Sequence, residues 1–284
     1  MKIIVTGASG LIGSHLTKFL GNQGHTVVPV SLRNPATQLT SINSADAVVH
    51  LAGESIADRW TAEKMLRIRE SRLTSTRLLS ETLSKLDHRP KVLICASAIG
   101  FYGNRGDETL DERSSQGSGF LADLCRQWEA ATVPAKEAGI RVVNLRLGIV
   151  LSKKGGALAK MLLPFQMGAG GEIGDGKQYM SWIDIDDAVA AIYHAITNQS
   201  LQGAVNAVAP HPVTNKEFTA ALGKALHRPA IIPVPGFALR LLFGAMADEM
   251  LLSGQKVMPA ELQASGFKFR YPDIELSLQH VLKK

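Results

Sequence analysis

Three glycines near the start of the chain have the spacing that phosphate-binding loops use. Gly7, Gly10 and Gly13 stand in the sequence VTGASGLIG, between a strand-like run and a helical one. The first glycine permits a tight turn, the second lets the backbone approach a pyrophosphate, and the third lets the helix pack close to the sheet. Free amides at the start of that helix would face the phosphate charge. The motif therefore predicts a dinucleotide site with contacts from Gly7, Ser9, Gly10, Leu11, Ile12 and Gly13.

The end of the second strand-like run indicates which dinucleotide binds. An NAD site has an Asp or Glu about 20 residues beyond the glycines, where it accepts a hydrogen bond from the ribose 2′-hydroxyl. This chain has no acidic residue before Asp46. Instead Ser31 and Arg33 end the run, where they suit a 2′-phosphate, with a solvated loop charge as the alternative for Arg33. We therefore predict NADP as the cofactor.

Other residue types that carry chemistry lack the spacing that their chemistry needs. Cys95 and Cys125 do not have the paired spacing of metal sites or disulfides, and the eight histidines form no HExxH or His-x-His motif. Asp184, Asp186 and Asp187 suggest acid/base work or a divalent metal, but they open a helical run, where acids favourably face the helix dipole. We expect these carboxylates to cap a helix, and we predict no metal site.

Five apolar, β-rich runs would position the residues of the site. They are KIIVTG, HTVVPVSL, ADAVVHLAG, PKVLICASA and IRVVNLRLG, and helix-length patterns separate them. This alternation is typical of an α/β protein with a Rossmann-type, doubly wound parallel sheet, whose ligands bind at the carboxyl edge. We predict an NADP-binding domain from residues 1–151 plus about 179–210, and a small C-terminal substrate lobe from about 152–178 plus 211–284. Within the lobe, Thr214 and Glu217 have the spacing of a capping box.

The composition of the 284-residue chain argues against several other classes of protein. Its 31 basic and 25 acidic residues give a net charge of +6, spread without a Lys/Arg block or interleaved aromatic residues. That diffuse charge argues against nucleic-acid binding. The strand-like start lacks the apolar stretch of a signal peptide, and no apolar run is long enough for a membrane span. We therefore expect a cytoplasmic protein.

Longer motifs resemble one family. TGASGLIG, HLAGESI, SRLTSTRLL, SAIGFYG, LRLGIVL, GDGKQYMSWID and SGQKVMPAEL look like the atypical branch of the extended short-chain dehydrogenase/reductase superfamily, the SDR39U1-like or YfcH-like epimerase-family proteins. The resemblance implies a Rossmann NADP-binding domain with a small substrate lobe, and it allows a homodimer paired through helices beside the fourth and fifth strands. By position it also implies that Leu51, Ala52 and Gly53 line the adenosine side of the cofactor and that Gly148 and Val150 face the nicotinamide. Arg67 and Arg72 on the helix after the third strand either reach the cofactor's phosphates or are exposed helical charges.

The resemblance also reveals that the family's proton relay is missing. Most of the superfamily uses a Ser or Thr to hold the substrate hydroxyl and a Tyr-x-x-x-Lys pair to move its proton. In this chain the hydroxyl position is Ala98, and the relay positions in GSGFLADLCRQWE fall near Leu121 and Cys125, or at Phe120 and Leu124 in the neighbouring register. Neither register restores the pair. The catalytic residues are therefore unknown. Ser97 and Tyr102 remain as candidates, although adjacent strand residues face opposite ways and a tyrosine at this place also suits core packing.

The substrate side departs from the family pattern as well. In nucleotide-sugar enzymes the stretch that matches GDGKQYMSWIDIDD carries an arginine for the substrate's phosphates, and here that position is Met180. We expect Ser97, Tyr102, Met180 and Trp182 to line the substrate pocket, with core packing as the alternative for the last two. The hypothesis is an oxidoreductase or isomerase/epimerase acting on a small, non-nucleotide carbonyl or hydroxyl compound. A non-enzymatic NADP(H)-binding redox-sensing or regulatory protein and a nucleotide-sugar epimerase are the alternatives.

Overall fold

The computed structural model describes residues 1–32 and 42–283, and this part of the chain is an α/β protein. Its strands are β1 Lys2–Thr6, β2 Thr26–Val30, β3 Ala47–His50, β4 Val92–Ala98, β5 Thr109–Leu110, β6 Arg141–Leu147, β7 Ile149–Leu151, β8 Tyr179–Met180, β9 Trp182–Asp184, β10 Gly203–Ala207, β11 Val213–Thr214 and β12 Lys256–Val257. Its α-helices are α1 Leu11–Asn22, α2 Ala62–Ser84, α3 Phe120–Ala130, α4 Val133–Glu137, α5 Gly156–Gln166, α6 Ile185–Thr197, α7 Asn215–Leu226, α8 Gly236–Phe243, α9 Ala260–Ala264 and α10 Ile274–Lys283. A 3₁₀-helix occupies Ile99–Tyr102 and a π-helix Ala247–Leu251. Within the described ranges, no helix combines the length and apolarity that a membrane crossing requires.

Six strands form one parallel sheet in the order β10, β6, β4, β3, β1, β2. The chain places β2 on one side of β1 and later adds β3 on the other, so the strand order reverses at β1. Thr6, the last residue of β1, lies opposite Val30 of β2 and His50 of β3. Such a reversal opens a crevice at the carboxyl ends of the strands, where ligands bind in this fold class. The predicted doubly wound sheet is confirmed.

Near-continuous apolar strands allow this sheet to be buried on both faces. On one face, Ile3 and Val5 of β1 pack with apolar residues of α1 and α6. On the other face, Ile4 packs with residues of α2 such as Leu79. Because successive residues of a strand point to opposite faces, one strand contributes to both cores. The result is a three-layer arrangement with the sheet between two layers of helices.

A further core joins the C-terminal helices to the carboxyl edge of the sheet. Phe165 of α5, Phe218 of α7 and Leu278 of α10 pack there with Trp182 of β9. Residues around Trp182 therefore share their core with the lobe, although we expected residues 179–210 to belong with the sheet domain. The domain boundaries stay a prediction.

Helix α7 begins at the predicted capping box. The Thr214 hydroxyl accepts a hydrogen bond from the backbone amide of Glu217 at 3.2 Å, and the Glu217 carboxylate accepts one from the Thr214 amide at 2.7 Å. These two bonds satisfy amides that the first turn of a helix would otherwise leave without partners. The sequence prediction is confirmed at this helix.

Candidate dinucleotide-binding site

The turn after β1 has two positions that only glycine can occupy. Gly7 has a φ of 70°, and a Cβ there would lie 2.8 Å from the backbone nitrogen of Ala52, just after β3. A Cβ on Gly13 would lie 2.1 Å from the carbonyl oxygen of Gly7. Both distances are far inside van der Waals contact. The turn is thus pressed against its own helix on one side and against the end of β3 on the other.

Helix α1 presents an uncapped N-terminus at this turn. Gly10, at the N-cap position, has no side chain that could accept a bond from the first amides, and the first turn contains no acidic residue. The Gly10 amide donates to the Gly7 carbonyl at 3.0 Å, which fixes the shape of the turn. The start of α5 lies close to this helix end, since a Cβ on Gly156 would lie 3.3 Å from Leu11 Cδ2. The positive end of the helix dipole is therefore available to an anion such as a pyrophosphate.

The other residues predicted to contact the cofactor's phosphates lie on the turn and beyond β2. Ser9 is exposed on the turn, whereas Ile12 is partly buried against the core. Ser31 follows β2 directly and is exposed, on the side of β1 that is remote from β3. Arg33 lies outside the described residues. The structure therefore places one of the two residues predicted for the 2′-phosphate, at the edge formed by β2.

The residues after β3 form the facing wall of the crevice. Leu51 donates its amide to the Thr6 carbonyl at 3.1 Å, so the pairing of β1 with β3 continues past the last strand residue. Ala52 contacts the glycine turn. Gly53 comes next, and a Cβ on it would lie only 3.3 Å from the guanidinium carbon of Arg72. The predicted stretch Leu51, Ala52 and Gly53 thus lies beside the glycine turn and brings Arg72 of α2 to the same wall.

The two candidate arginines of α2 have different surroundings. Arg67 is exposed and pairs with Glu63, one helical turn earlier. Arg72 is partly buried, donates to the Ile68 carbonyl at 3.2 Å, and has its guanidinium carbon 5.1 Å from the centre of the Trp128 ring. Burial lowers the pKa of Arg72 from its ordinary value. Of the two, only Arg72 lies at the crevice wall.

Gly148 and Val150 follow β6, where they were predicted to face the cofactor. The Gly148 amide donates to the Ala207 carbonyl at 3.1 Å, and a Cβ on Gly148 would lie 2.5 Å from the Ser181 carbonyl oxygen. Close packing of backbones therefore requires this glycine. Val150 is partly buried between two cores. Contact of either residue with a cofactor stays a prediction.

A buried polar chain that the sequence did not reveal supports the crevice wall. His50 is fully buried, with Nδ1 2.6 Å from Thr6 Oγ1 and Nε2 3.0 Å from Thr76 Oγ1. Trp128 Nε1 donates to the same Thr76 oxygen at 2.9 Å. Burial lowers the pKa of His50 to about 4, so its imidazole is neutral at pH 7. In the sequence, the signal of this network was His50, a polar residue at the end of the apolar run ADAVVH.

The two relay positions on α3 hold groups that cannot transfer protons near neutral pH. Leu121 has an apolar side chain, which lies against Gly100 of the 3₁₀-helix. Cys125 is 2% exposed, and burial raises the pKa of its thiol to about 12. A thiolate is therefore not available there. The structure gives no support to either side chain as a substitute for the missing tyrosine and lysine.

Ser97 and Tyr102 belong to a buried network and do not line an open pocket. The Ser97 hydroxyl donates to Glu129 at 2.7 Å, and Arg146 donates to the same carboxylate at 2.8 and 2.9 Å. Arg146 also donates to the Tyr102 hydroxyl at 2.9 Å, and Tyr102 donates to Asn206 at 2.8 Å. Ser97 is 3% exposed and Tyr102 is fully buried. The expected pocket positions of both residues are thus corrected, because protein groups occupy their hydroxyls.

Met180 and Trp182 also lie in the core, which corrects their expected place in the substrate pocket. Met180 is 7% exposed and Trp182 is fully buried, and both belong to the core that includes Phe218 of α7. Trp182 Nε1 donates to the His211 carbonyl at 3.2 Å, and the side-chain Nδ2 of Asn215 donates to the Met180 sulfur at 3.4 Å. Their side chains fill the space between the short strands β8 and β9 and helix α7. Both residues therefore have the core positions that were the alternative to a pocket position.

Of the three carboxylates at the start of α6, Asp184 caps the helix, as predicted, and the other two have different partners. Asp184 accepts from the Asp186 amide at 2.8 Å, and its second oxygen accepts from Ser277 at 2.9 Å and lies 3.0 Å from His280 Nδ1. His280 Nε2 lies 3.3 Å from the Asp186 carboxylate. Asp187 accepts from two backbone amides of the C-terminal segment. Protein donors thus engage these oxygens and tie the start of α6 to the C-terminal segment.

A cavity of about 200 Å³ opens beside the vacated relay position Leu121. The 3₁₀-helix and the start of α3 form one side, and the π-helix segment of the lobe forms the other. From the lobe, the Glu249 carboxylate accepts hydrogen bonds from the amides of Phe120 at 3.0 Å and Leu121 at 3.3 Å. The remaining polar lining comes from Asn104, Ser118, Asp248, Ser253 and Gln255.

The parallel sheet, its reversal at β1 and the glycine turn define a Rossmann-type dinucleotide-binding protein. The chain belongs to the NAD dependent epimerase/dehydratase family, whose model matches residues 3–208. Residues 234–281, in the C-terminal lobe, match a domain of unknown function, DUF1731. The family predicted from the sequence motifs is thereby confirmed.

Full-length relatives and a solved structure show the same similarity. Epimerase family protein Mb2239 of Mycobacterium bovis is 43% identical over 286 residues, which cover 96% of this chain and 94% of that protein. Human epimerase family protein SDR39U1 is 36% identical over 294 residues, covering 99% of this chain and 100% of the human one. The crystal structure of human SDR39U1 isoform 2 with NADPH matches with a TM-score of 0.94 and 34% identity over the whole of both chains.

Proposed function

We propose that the protein binds NADP(H) and acts as an oxidoreductase or isomerase on a small, non-nucleotide carbonyl or hydroxyl compound. The observation that carries this proposal is the uncapped N-terminus of α1, held behind a turn in which Gly7 and Gly13 are sterically required. A polar cavity beside Leu121 lies farther along the same carboxyl edge. The NADPH in the crystal structure of human SDR39U1 supports the choice of cofactor.

The residues present fit such a cofactor. The amides of residues 11–13 would hold the pyrophosphate, because no side chain caps them. Ser31 would bond the 2′-phosphate, and the absence of an acidic residue before Asp46 removes the group that selects NAD. When bound, NADPH supplies a hydride. The protein itself would bind and orient the cofactor and admit the substrate.

Proton transfer requires a source other than the family's relay. Leu121 and Cys125 cannot supply it, and the hydroxyls of Ser97 and Tyr102 are engaged by Glu129, Arg146 and Asn206. We assign this step to water in the polar cavity or to the substrate's own hydroxyl group. In this proposal catalysis depends mainly on holding the substrate against the nicotinamide. Such positioning lowers the reaction barrier when the reacting atoms are held at near-contact distance.

The size of the cavity supports a small substrate. Pockets for drug-sized ligands are about 300–1,000 Å³, whereas this cavity has about 200 Å³. In addition, Met180 replaces the arginine that nucleotide-sugar enzymes use for substrate phosphates, and it is buried in the core. Both observations favour a small carbonyl or hydroxyl compound over a sugar nucleotide.

A direct test combines binding with turnover. The purified protein is titrated with NADPH and NADH and then mixed with NADPH and a panel of small aldehydes and ketones, while cofactor oxidation is followed by absorbance. We expect tighter binding of NADPH than of NADH and oxidation of NADPH by at least one small carbonyl. Titrations with UDP- and TDP-sugars form the comparison arm. Tight binding of a sugar nucleotide with epimerisation would replace the proposal by the epimerase alternative.

The buried network favours one other candidate, a non-enzymatic NADP(H)-binding regulator. Every hydroxyl predicted near the reacting centre is engaged by a protein group, as a structural role would require. Such a protein would bind NADP⁺ and NADPH with different affinities and would oxidise NADPH with none of the carbonyl compounds. Turnover of any small substrate at an ordinary enzymatic rate excludes this candidate.

A further inference from the structure

Arg72 is a partly buried cation at the crevice wall, and among the described residues a single carbonyl accepts a hydrogen bond from it. Its guanidinium carbon lies 3.3 Å from the Cβ position of Gly53 and 5.1 Å from the centre of the Trp128 ring. One nitrogen donates to the Ile68 carbonyl at 3.2 Å. Within residues 1–32 and 42–283 it forms no salt bridge, although a guanidinium has five donors. A buried cation of this kind favours a ligand with acceptor oxygens.

The surroundings of Arg72 coincide with the place of the missing lysine. Cys125, which occupies the lysine position, and Trp128 are three residues apart on α3 and therefore share one face of that helix. Arg72 lies over Trp128 on this face. Its positive charge opposes the rise that burial causes in the pKa of the Cys125 thiol. The chain thus keeps a positive group beside α3, but the group comes from α2.

The sheet order indicates which half of the cofactor lies near Arg72. Ser31 follows β2, on one side of β1, and the N-terminus of α1 follows β1 itself. Gly53 follows β3, on the opposite side of β1 from Ser31, and Trp128 lies on the helix that comes after β4. A dinucleotide with its 2′-phosphate at Ser31 and its pyrophosphate at α1 therefore extends its nicotinamide half toward Arg72.

We infer that Arg72 is a positioning residue that takes the place of the missing lysine and donates hydrogen bonds to the ribose on the nicotinamide side of NADP(H). This inference rests on the proposed function. It replaces the expectations that Arg72 reaches the cofactor's phosphates and that residues 51–53 line the adenosine side. A planar guanidinium with several donors suits two adjacent ribose hydroxyls. In this arrangement a positive group lies beside α3 although the relay lysine is absent.

The test compares NADPH with adenosine 2′,5′-bisphosphate, which lacks the nicotinamide half. Arg72→Met keeps an apolar chain against Trp128 and removes the donors. We expect it to raise the Kd for NADPH by about 10- to 100-fold, the effect of losing hydrogen bonds to a charged group. The Kd for the bisphosphate should change less than about twofold. Arg72→Lys, which keeps the charge but not the fork of donors, should give the same selective loss to a smaller extent.

Arg77→Met is the matched control, since Arg77 is an exposed arginine five residues further along the same helix. Neither Kd should change in this variant. The inference is overturned if Arg72→Met and Arg72→Lys leave NADPH binding unchanged, or if they weaken both ligands equally. Should Arg72→Met fail to fold, Arg72→Lys decides by the same comparison. Failure of the wild-type protein to bind either ligand would instead refute the proposed function.

Discussion

His50 shows how one buried residue sets a property of the crevice wall. Its two ring nitrogens share hydrogen bonds with the hydroxyls of Thr6 and Thr76, and burial lowers its pKa to about 4. A charged imidazole at this place would disrupt the chain of bonds beneath Leu51 and the residues that follow it. The neutral form is therefore the form compatible with the folded site. Proton binding by His50 must accordingly oppose folding.

We predict a pH dependence of stability from this histidine. The folded-state pKa of about 4 lies below the unfolded value of 6.5, so the unfolded state binds more protons between these two values. Stability is therefore fully present above pH 6.5 and is lost as pH falls toward 4, by up to about 3 kcal/mol. Urea unfolding of wild type and His50→Asn across this range measures the contribution of His50 as the difference in slope. His88→Asn, at an exposed histidine, should keep the wild-type slope, and an unchanged slope in His50→Asn would contradict the prediction.

At the scale of elements, the sheet and helices follow from local sequence, but the partners of the polar residues do not. The apolar runs and the glycine spacing predicted β1, α1 and the crevice, and Thr214 with Glu217 predicted the start of α7. Ser97 and Tyr102 were assigned to a pocket because their partners, Glu129 and Asn206, lie on other elements. Hydrogen bonds across such sequence separations depend on tertiary packing, which no local pattern contains. For the same reason the sequence did not show that Arg72 lies beside Gly53 and Trp128.

The packing of α1 on the glycine turn gives a prediction at this scale. Gly13→Ala would place a Cβ 2.1 Å from the Gly7 carbonyl oxygen, so helix and turn must move apart. We expect the free energy of unfolding to fall by about 1–3 kcal/mol and NADPH binding to weaken, measured by urea unfolding and ligand titration. Gly21→Ala is the control in the same helix, because nothing lies within 4 Å of its Cβ position. It should raise stability by about 0.5–1 kcal/mol. Wild-type NADPH affinity in a folded Gly13→Ala protein would show that this turn does not hold the phosphates.

At the scale of the whole molecule, the lobe and the sheet meet at the start of α3. The N-cap of this helix is Gly119, which has no capping side chain, and its first amides instead donate to Glu249 of the π-helix. A Cβ on Gly119 would lie 2.7 Å from a Glu249 oxygen, so the glycine makes room for this carboxylate. The same carboxylate lines the cavity that we propose for the substrate. One contact therefore contributes both to the docking of the lobe and to the lining of the cavity.

We predict that Glu249→Ala lowers the stability of the whole molecule, which still unfolds in one transition. Loss of a carboxylate cap from two helix amides should lower the free energy of unfolding by about 1–2 kcal/mol. Asp248→Ala is the control, because the Asp248 pair with Arg240 is more than half exposed on both sides and should contribute less than about 1 kcal/mol. Urea unfolding followed by tryptophan fluorescence and by circular dichroism measures both variants. Since the lobe shares a core with β9, the two signals should report one transition, shifted to lower urea only in Glu249→Ala. Equal stability of Glu249→Ala and wild type would mean that the lobe does not cap α3 in solution.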